Sequence, residues 1–238
     1  MGKRLKQQRR GKGSNAYSKP SHRFKADVRF RPLKQGSRAI GEVLDFVDDP
    51  IHTAPMMLVR YEDFTENMLI APEGIKIGDK IHEGQDAGVS LGNVLRLGDV
   101  PEGMPVYNIE SMPGDGGKMV RAAGAYATVV AHMGDKVAVR LPSKNTVELN
   151  CDCRAELGVV AGGGMIMKPI MTAGKSHYMH HAVNAKWPVN RGVKSNPVDH
   201  PFGGKQHHKG SSASTSRNAP PGAKVGNIAA SRTGRRKR

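Results

Sequence analysis

Charge is sorted along this chain, and the sorting limits what the chain can fold into. Residues 1–38 hold 13 Lys/Arg against one acid, Asp27, and residues 159–238 hold 14 against one acid, Asp199. The 120 residues between them hold 10 Lys/Arg against 19 Asp/Glu, so the three segments carry +12, −9 and +13 within a net charge of +16. Ends rich in Gly, Ser, Lys, Arg and His bury too little apolar surface to offset the entropy of ordering, so both are expected to be irregular and disordered when free. An acidic body with two basic arms is suited to lie against a polyanion. Gly, Pro and Ser interrupt the arms too often for a basic amphipathic membrane helix, which puts nucleic acid ahead of an anionic membrane or an acidic protein. Lys and Arg that neutralise phosphates release counterions, giving salt-dependent binding without sequence readout.

The remaining composition narrows the class. The hydrophobic fraction of 37% and aromatic fraction of 5% fall below the roughly 45–50% apolar content of an ordinary globular domain, and the deficit lies in the arms. No stretch approaches the ~20 apolar residues of a membrane helix, and no apolar segment follows the basic N-terminus as a signal peptide requires. Cys151 and Cys153 are the only cysteines; they are too few for a structural zinc site and suggest no disulfide framework. A reducing cytoplasm is the expected compartment.

Between about Ala39 and Val160 short apolar runs alternate with turns. Ile40–Phe46, Met56–Tyr61, Asn67–Ile70, Val89–Leu97 and Met104–Ile109 read as strands, and after a break at Pro113–Gly117 so do Lys118–Ala122, Ala125–Ala131, Lys136–Leu141, Thr146–Leu149 and Leu157–Val160. Strands at ten-residue spacing favour small all-β barrels or sandwiches over βαβ units. The expected plan is a basic extension over 1–38, a first barrel over 39–112, a second over 113–165 that runs to about 190 at most, and a basic extension over 166–238. Met171–Lys186 has room for one helix with His177, His180 and His181 on a common face.

Several constellations suggest chemistry and fail on spacing. Gly114-Asp115-Gly116-Gly117-Lys118 lacks the first Gly and the final Ser/Thr of a P-loop, because Met112 and Met119 stand there; an interdomain turn is the better reading. Gly162-Gly163-Gly164 lacks dinucleotide-fingerprint spacing and suits close backbone approach to another chain or a phosphate. Cys151-Asp152-Cys153 reads as incidental rather than redox-active. The histidines after residue 159 sit among cations that repel a divalent metal, so base stacking or phosphate hydrogen bonds suit them better. Asp199-His200 could pair a carboxylate with a general base, but adjacent residues of an extended chain point apart, and only Ser195 stands near as a nucleophile. Tyr17, His22, Phe24, Phe30, Tyr178, Trp187 and Phe202, interspersed with the cations, suit stacking on unpaired RNA bases.

The segments Met1–Arg4, Gln8–Gly13, Ala71–Gly74, Pro113–Lys118, Val139–Ser143, Gly158–Gly164, Trp187-Pro188, Asn196–Gly204, Arg217–Gly222, Val225-Gly226 and Arg232–Arg235 together resemble the protein-two family of the large ribosomal subunit, archaeal and eukaryotic type. The resemblance covers nearly the whole chain. It implies an OB-fold barrel followed by an SH3-like barrel, with both basic extensions threaded into large-subunit ribosomal RNA near the peptidyl transferase centre and with roles in assembly, subunit association and tRNA binding. Implied partners are that RNA, neighbouring ribosomal proteins and the small subunit across an intersubunit bridge, with no membrane and no homo-oligomer. No cofactor is implied; magnesium or monovalent ions would be held by the RNA.

On this reading, phosphate contacts are expected from Lys3, Arg4, Lys6, Arg9, Arg10, Lys12, Arg23, Lys25, Lys175, Arg191, Lys205, Arg217, Arg232, Arg235 and Arg236. His22, His177, Trp187, His200 and Phe202 are expected to stack or pack. Gly162, Gly163, Gly164, Gly203 and Gly204 would admit close backbone approach, and Asn196 and Asp199 complete the RNA-binding set. No catalytic or metal residue is expected, His200 being a positioning contact. The chain departs from the family pattern at Met165, Lys194-Ser195 and Lys205. The alternatives are an RNA chaperone or translation factor that exchanges on and off RNA, and a hydrolase using Asp199-His200.

Overall fold

Apolar alternation in the middle of the chain builds ten strands: β1 Arg38–Val47, β2 Met56–Tyr61, β3 Glu66–Ile70, β4 Lys80–Gly84, β5 Val94–Arg96, β6 Pro105–Tyr107, β7 Ala127–Met133, β8 Lys136–Arg140, β9 Thr146–Asn150 and β10 Arg154–Leu157. The computed structural model describes residues 2–32, 37–84, 87–205, 209 and 212–234. The ten strands form one sheet in the order β3-β2-β1-β4-β5-β10-β6-β7-β8-β9. Every pairing is antiparallel except β4–β5, which run parallel through Glu83 and Val94. The all-β expectation for the body holds. One ladder joins the two expected sets of strands, and among the described residues its outer strands β3 and β9 are not paired to close a barrel.

The chain divides into two compact units, one of Ser21–Met171 and one of Met1–Pro20 with Thr172–Arg238. In the first, Val43, Met57, Val59, Leu69 and Ile81 pack under one half of the sheet, and Leu97, Val106, Val129, Val139 and Leu157 under the other. Phe30 joins the first cluster and Val28 a third that includes Met56, Ile70 and Tyr107. Val28 and Phe30, which fall inside the basic extension expected over 1–38, are buried in the body. The second unit contains helix α1 (Lys6–Gly11), helix α3 (Ala173–Ala182) and a two-residue parallel pair, β11 Ser214–Thr215 with β12 Asn227–Ile228. Helix α2 (Gly164–Met167) closes the body unit.

Four strand expectations change, the first being Leu157–Val160, where the strand β10 ends rather than starts at Leu157. Strand β4 is unforeseen because its inward residues are Ile81 and the fully buried Glu83, and a carboxylate breaks the apolar alternation. Val89–Leu97 contracts to β5. Lys118–Ala122 is no strand, only a single bridge from Met119 to Ile109, and Val120 leaves the extended region at a left-handed φ of 57°.

The glycine-rich loop at 113–117 does cradle an anion, and the anion is the chain's own. Glu110, fully buried, accepts hydrogen bonds from the backbone N–H of Gly114 (3.2 Å), Gly116 (3.0 Å) and Arg154 (2.9 Å), and from the Arg154 guanidinium (2.9 Å). The positive φ of Gly114, Gly116 and Gly117 suits glycine at no steric cost. Arg154→Met leaves Glu110 charged and without its counter-ion in a dry site, so a loss of about 3–5 kcal/mol in urea unfolding is expected. Arg60→Ala removes only the exposed pair with Glu66 and is expected to cost less than about 1 kcal/mol.

Glu83 and Glu156 flank Val94 in one sheet row. Burial raises both carboxyls, Glu156 to about 8. The folded chain thus keeps a proton on Glu156 that the unfolded chain releases near its ordinary value of 4.5. Stability should fall as pH rises between about 4.5 and 8, and Glu156→Gln should flatten that fall in unfolding curves measured at pH 5, 6.5 and 8.

Candidate nucleic-acid interface

In the terminal unit, Lys3 N–H donates to Val198 O (2.8 Å) and Asn184 Nδ2 to Ser18 O (2.9 Å), tying the two chain ends together. Between them opens a cleft of about 100 Å³ lined by Lys6, Arg10, Lys186, Ser195, Asp199 and His200, among others. Lys6 and Arg10 reach it from α1, whose first turn is closed by Leu5 N–H donating to Gln8 Oε1 (3.0 Å).

Asp199 and His200 line the same cleft because the chain turns rather than extends there. The N–H groups of Asp199 and His200 both donate to Asn196 O (3.0 and 3.1 Å), and Gly203 N–H donates to His200 O (2.9 Å). His200 Nδ1 accepts from Phe202 N–H (3.0 Å). That bond places the proton of the neutral imidazole on Nε2, leaving a donor. Burial, then the Lys6 charge, lowers the His200 pKa from its ordinary 6.5. Among the described residues no hydrogen bond joins Asp199 to His200, so the ring is oriented by backbone and not by a carboxylate. The hydrolase arrangement is missing its orienting contact.

Glycines serve this loop internally. A Cβ on Gly192 would stand 2.2 Å from His200 Cε1, and one on Gly203 would stand 2.4 Å from Asn196 C and O. Gly204 meets nothing within 4 Å, whereas Gly163 packs backbone to backbone against Gly124 within the body. Close approach at Gly163 and Gly203 is thus to the protein itself; Gly164 meets nothing within 4 Å. Phe202 lies edge-on to His200 (4.9 Å) with Lys209 Nζ 3.8 Å above its ring.

The histidine face expected on α3 forms. Thr172 caps the helix by accepting from Lys175 N–H (3.4 Å). Trp187 stacks on His180 (5.8 Å) and meets His177 edge-on (6.3 Å), while His177 stacks on His181 (6.0 Å). Among the described residues no group of three or more His, Cys, Asp or Glu gathers as metal ligands.

Of the other expected contacts, Lys3, Arg4, Arg9, Lys12, Arg191, Lys205, Arg217 and Arg232 are exposed in the terminal unit. His22 and Arg23 form an exposed turn in the body unit, and Lys25 donates its backbone N–H to Asp49 (3.0 Å). Arg235 and Arg236 lie outside the described residues. Cys153 is buried and its thiol pushed up to about 11, chiefly by that burial, so it carries little thiolate at neutral pH.

Sequence reasoning missed a second groove, of about 440 Å³, in the body unit, where Arg29, Lys118 and Arg121 meet the acids Asp27 and Asp115 beside Phe24 and His52. The Arg121 guanidinium is fixed there by donating to Val28 O (3.0 Å) and Gly117 O (3.2 Å). Its cations come from three separated segments of modest charge, so no local run advertises them.

Cationic residues around one cleft, a stacked histidine–tryptophan face and a half-buried imidazole with its proton on Nε2 make a surface suited to a polyanion. Residues 90–225 match the family described as Ribosomal Proteins L2, C-terminal domain. The full chain is 48% identical over 242 residues to "Large ribosomal subunit protein uL2" of Methanocaldococcus jannaschii, covering all of both chains. It is 50% identical over 240 residues to the protein of that name in Methanococcus vannielii (99% of this chain, 100% of that one). To the one in Haloarcula marismortui it is 48% identical over 236 residues (99% and 98%). The chain belongs to the ribosomal protein L2 family, whose members are structural proteins and not enzymes.

Nuclear magnetic resonance titration should find His200 below its ordinary value. Lys6→Gln should raise it without restoring it, because burial is the larger cause. Gly192→Ala should displace the ring and return it to the ordinary range.

Proposed function

We propose that this chain is a structural constituent of the large ribosomal subunit that binds large-subunit ribosomal RNA near the peptidyl transferase centre. There it supports assembly, subunit association and tRNA binding. The observation that carries the reading is the cleft at His200, where cations from both chain ends surround a neutral imidazole donor. Phosphates would be neutralised by Lys6, Arg10 and Lys186, while His200 Nε2 donates to an RNA acceptor and the Trp187 cluster stacks on unpaired bases.

The two halves of the sheet are read as barrels of OB and SH3 type, and the residues outside them as extensions that complete their folding on RNA. Neighbouring ribosomal proteins and the small subunit are further partners, structural ions belong to the RNA, and the place of work is the cytoplasmic ribosome. Peptide-bond chemistry is left to the RNA.

The chain should sediment with large subunits after a high-salt wash. Lys6→Glu with Arg10→Glu should reduce its occupancy in washed subunits several-fold. Quantitative stripping of the unaltered chain would instead identify an exchanging chaperone or factor.

A further inference from the structure

We propose that the second half of the body carries a site of its own for an unpaired RNA nucleotide, at a cleft of about 370 Å³ lined by Tyr126, Thr128, Arg140 and Lys144. The volume lies within the roughly 300–1,000 Å³ of sites that take small ligands. The proposal rests on the reading that this chain lies on RNA, and it adds a contact region in the segment whose net charge is negative.

Charge is the first argument. No Asp or Glu lines the cleft. Elsewhere on the sheet Arg60 meets Glu66 at 2.7 Å, Arg96 meets Asp99 at 3.0 Å and Lys136 meets Glu148 at 3.1 Å, while Arg38 bonds His82 at 3.2 Å. Arg140 and Lys144, both exposed, form no ion pair among the described residues. Arg140 sits in a sheet row between Thr128 of β7 and Thr146 of β9, so its lateral neighbours bring hydroxyls rather than carboxylates. Two cations left unpaired in an acid-rich body are placed for a phosphate from outside.

The hairpin between β8 and β9 supplies the second argument. Leu141 N–H donates to Asn145 O (2.9 Å) and Lys144 N–H to Leu141 O (2.8 Å), a tight turn that puts Lys144 at a φ of 69°. Glycine meets that conformation without strain, so the turn itself gives no reason for lysine. The side chain beside the cleft does.

Tyr126 is the third. Its ring is 50% exposed at the entry to β7, an aromatic face available for base stacking. Gly124, also in the lining, contacts Gly163, which brings the exposed run at Gly162 and Gly164 alongside. The base would lie on Tyr126 and its phosphate between Arg140 and Lys144.

The test is ultraviolet crosslinking of the full chain to a single-stranded oligouridylate carrying 5-bromouridine, with adducts mapped by mass spectrometry. Adducts are expected at Tyr126 as well as in the terminal unit. Arg140→Ala with Lys144→Ala should lower the Tyr126 adduct at least tenfold and leave terminal adducts unchanged. It should also reduce the slope of log affinity against log salt by about 0.7, the value for one phosphate contact on a single strand. An unchanged thermal midpoint of the variant shows that the fold is intact. Adducts in the terminal unit with none at Tyr126, or a Tyr126 adduct indifferent to the double substitution, would overturn the site and leave the ribosomal reading standing. Adducts nowhere would overturn both. Loss of the Tyr126 adduct alone to a polyglutamate competitor would assign the cleft to an acidic protein and likewise overturn it.

Discussion

Glu110 and Arg154 meet inside the body, and four segments of chain are fixed by that meeting. The carboxylate fills the loop at 113–117 through the N–H groups of Gly114 and Gly116. The guanidinium bonds Glu110, donates to Arg31 O (2.7 Å) and lies 5.2 Å from the Phe30 ring. Arg31 in turn bonds Asp63 and lies over Tyr61, whose hydroxyl donates to Glu83. The loop, β10, the basic segment before β1 and the β2–β3 hairpin therefore share one polar chain, buried at Glu110, Tyr61 and Glu83 and exposed at Asp63. Because a lone charge in such a site is far costlier than the pair, the residues around it must fold together or not at all.

This changes what the acidity of the middle segment means. Its net −9 suggests a negative surface, yet Glu83, Glu110, Glu156 and Asp49 are buried. Glu110 is matched by Arg154, Asp49 by His52 at 2.7 Å, and burial favours the neutral form of Glu83 and Glu156. Part of the acid count is internal architecture. The surface the body offers to a polyanion is correspondingly less repulsive than the sequence total implies, which makes room for the acid-free cleft at Arg140 within it.

Strands whose inward positions are uniformly apolar, such as β2, β8 and β9, were readable from alternation, and the histidine face of α3 from its spacing. Where the inward residue is a partnered carboxylate, as in β4, alternation looks broken and the strand disappears from view. Val120 shows the converse: a β-branched residue in an apolar run reads as strand, while its φ of 57° lies outside the extended region. The glycine-rich loop was legible as a turn, but its anion was not, because Glu110 completes it only through the fold. The cations and aromatics at the chain ends were legible by type. Their convergence on one cleft depends on contacts such as Lys3 to Val198, which no local pattern encodes.

His200 illustrates what such convergence achieves. Three cations line its cleft, and a protonated imidazole would add a fourth charge at the cost of its own desolvation. Burial and Lys6 instead keep the ring neutral, and the Phe202 N–H occupies Nδ1. The cations then supply attraction that any phosphate can satisfy, while one oriented N–H at Nε2 supplies direction. Gly192 and Gly203 hold that geometry by letting backbone and ring meet at distances no side chain would permit. The loop thus separates the two tasks of recognition: screened, transferable charge at its rim, and a single fixed donor at its centre.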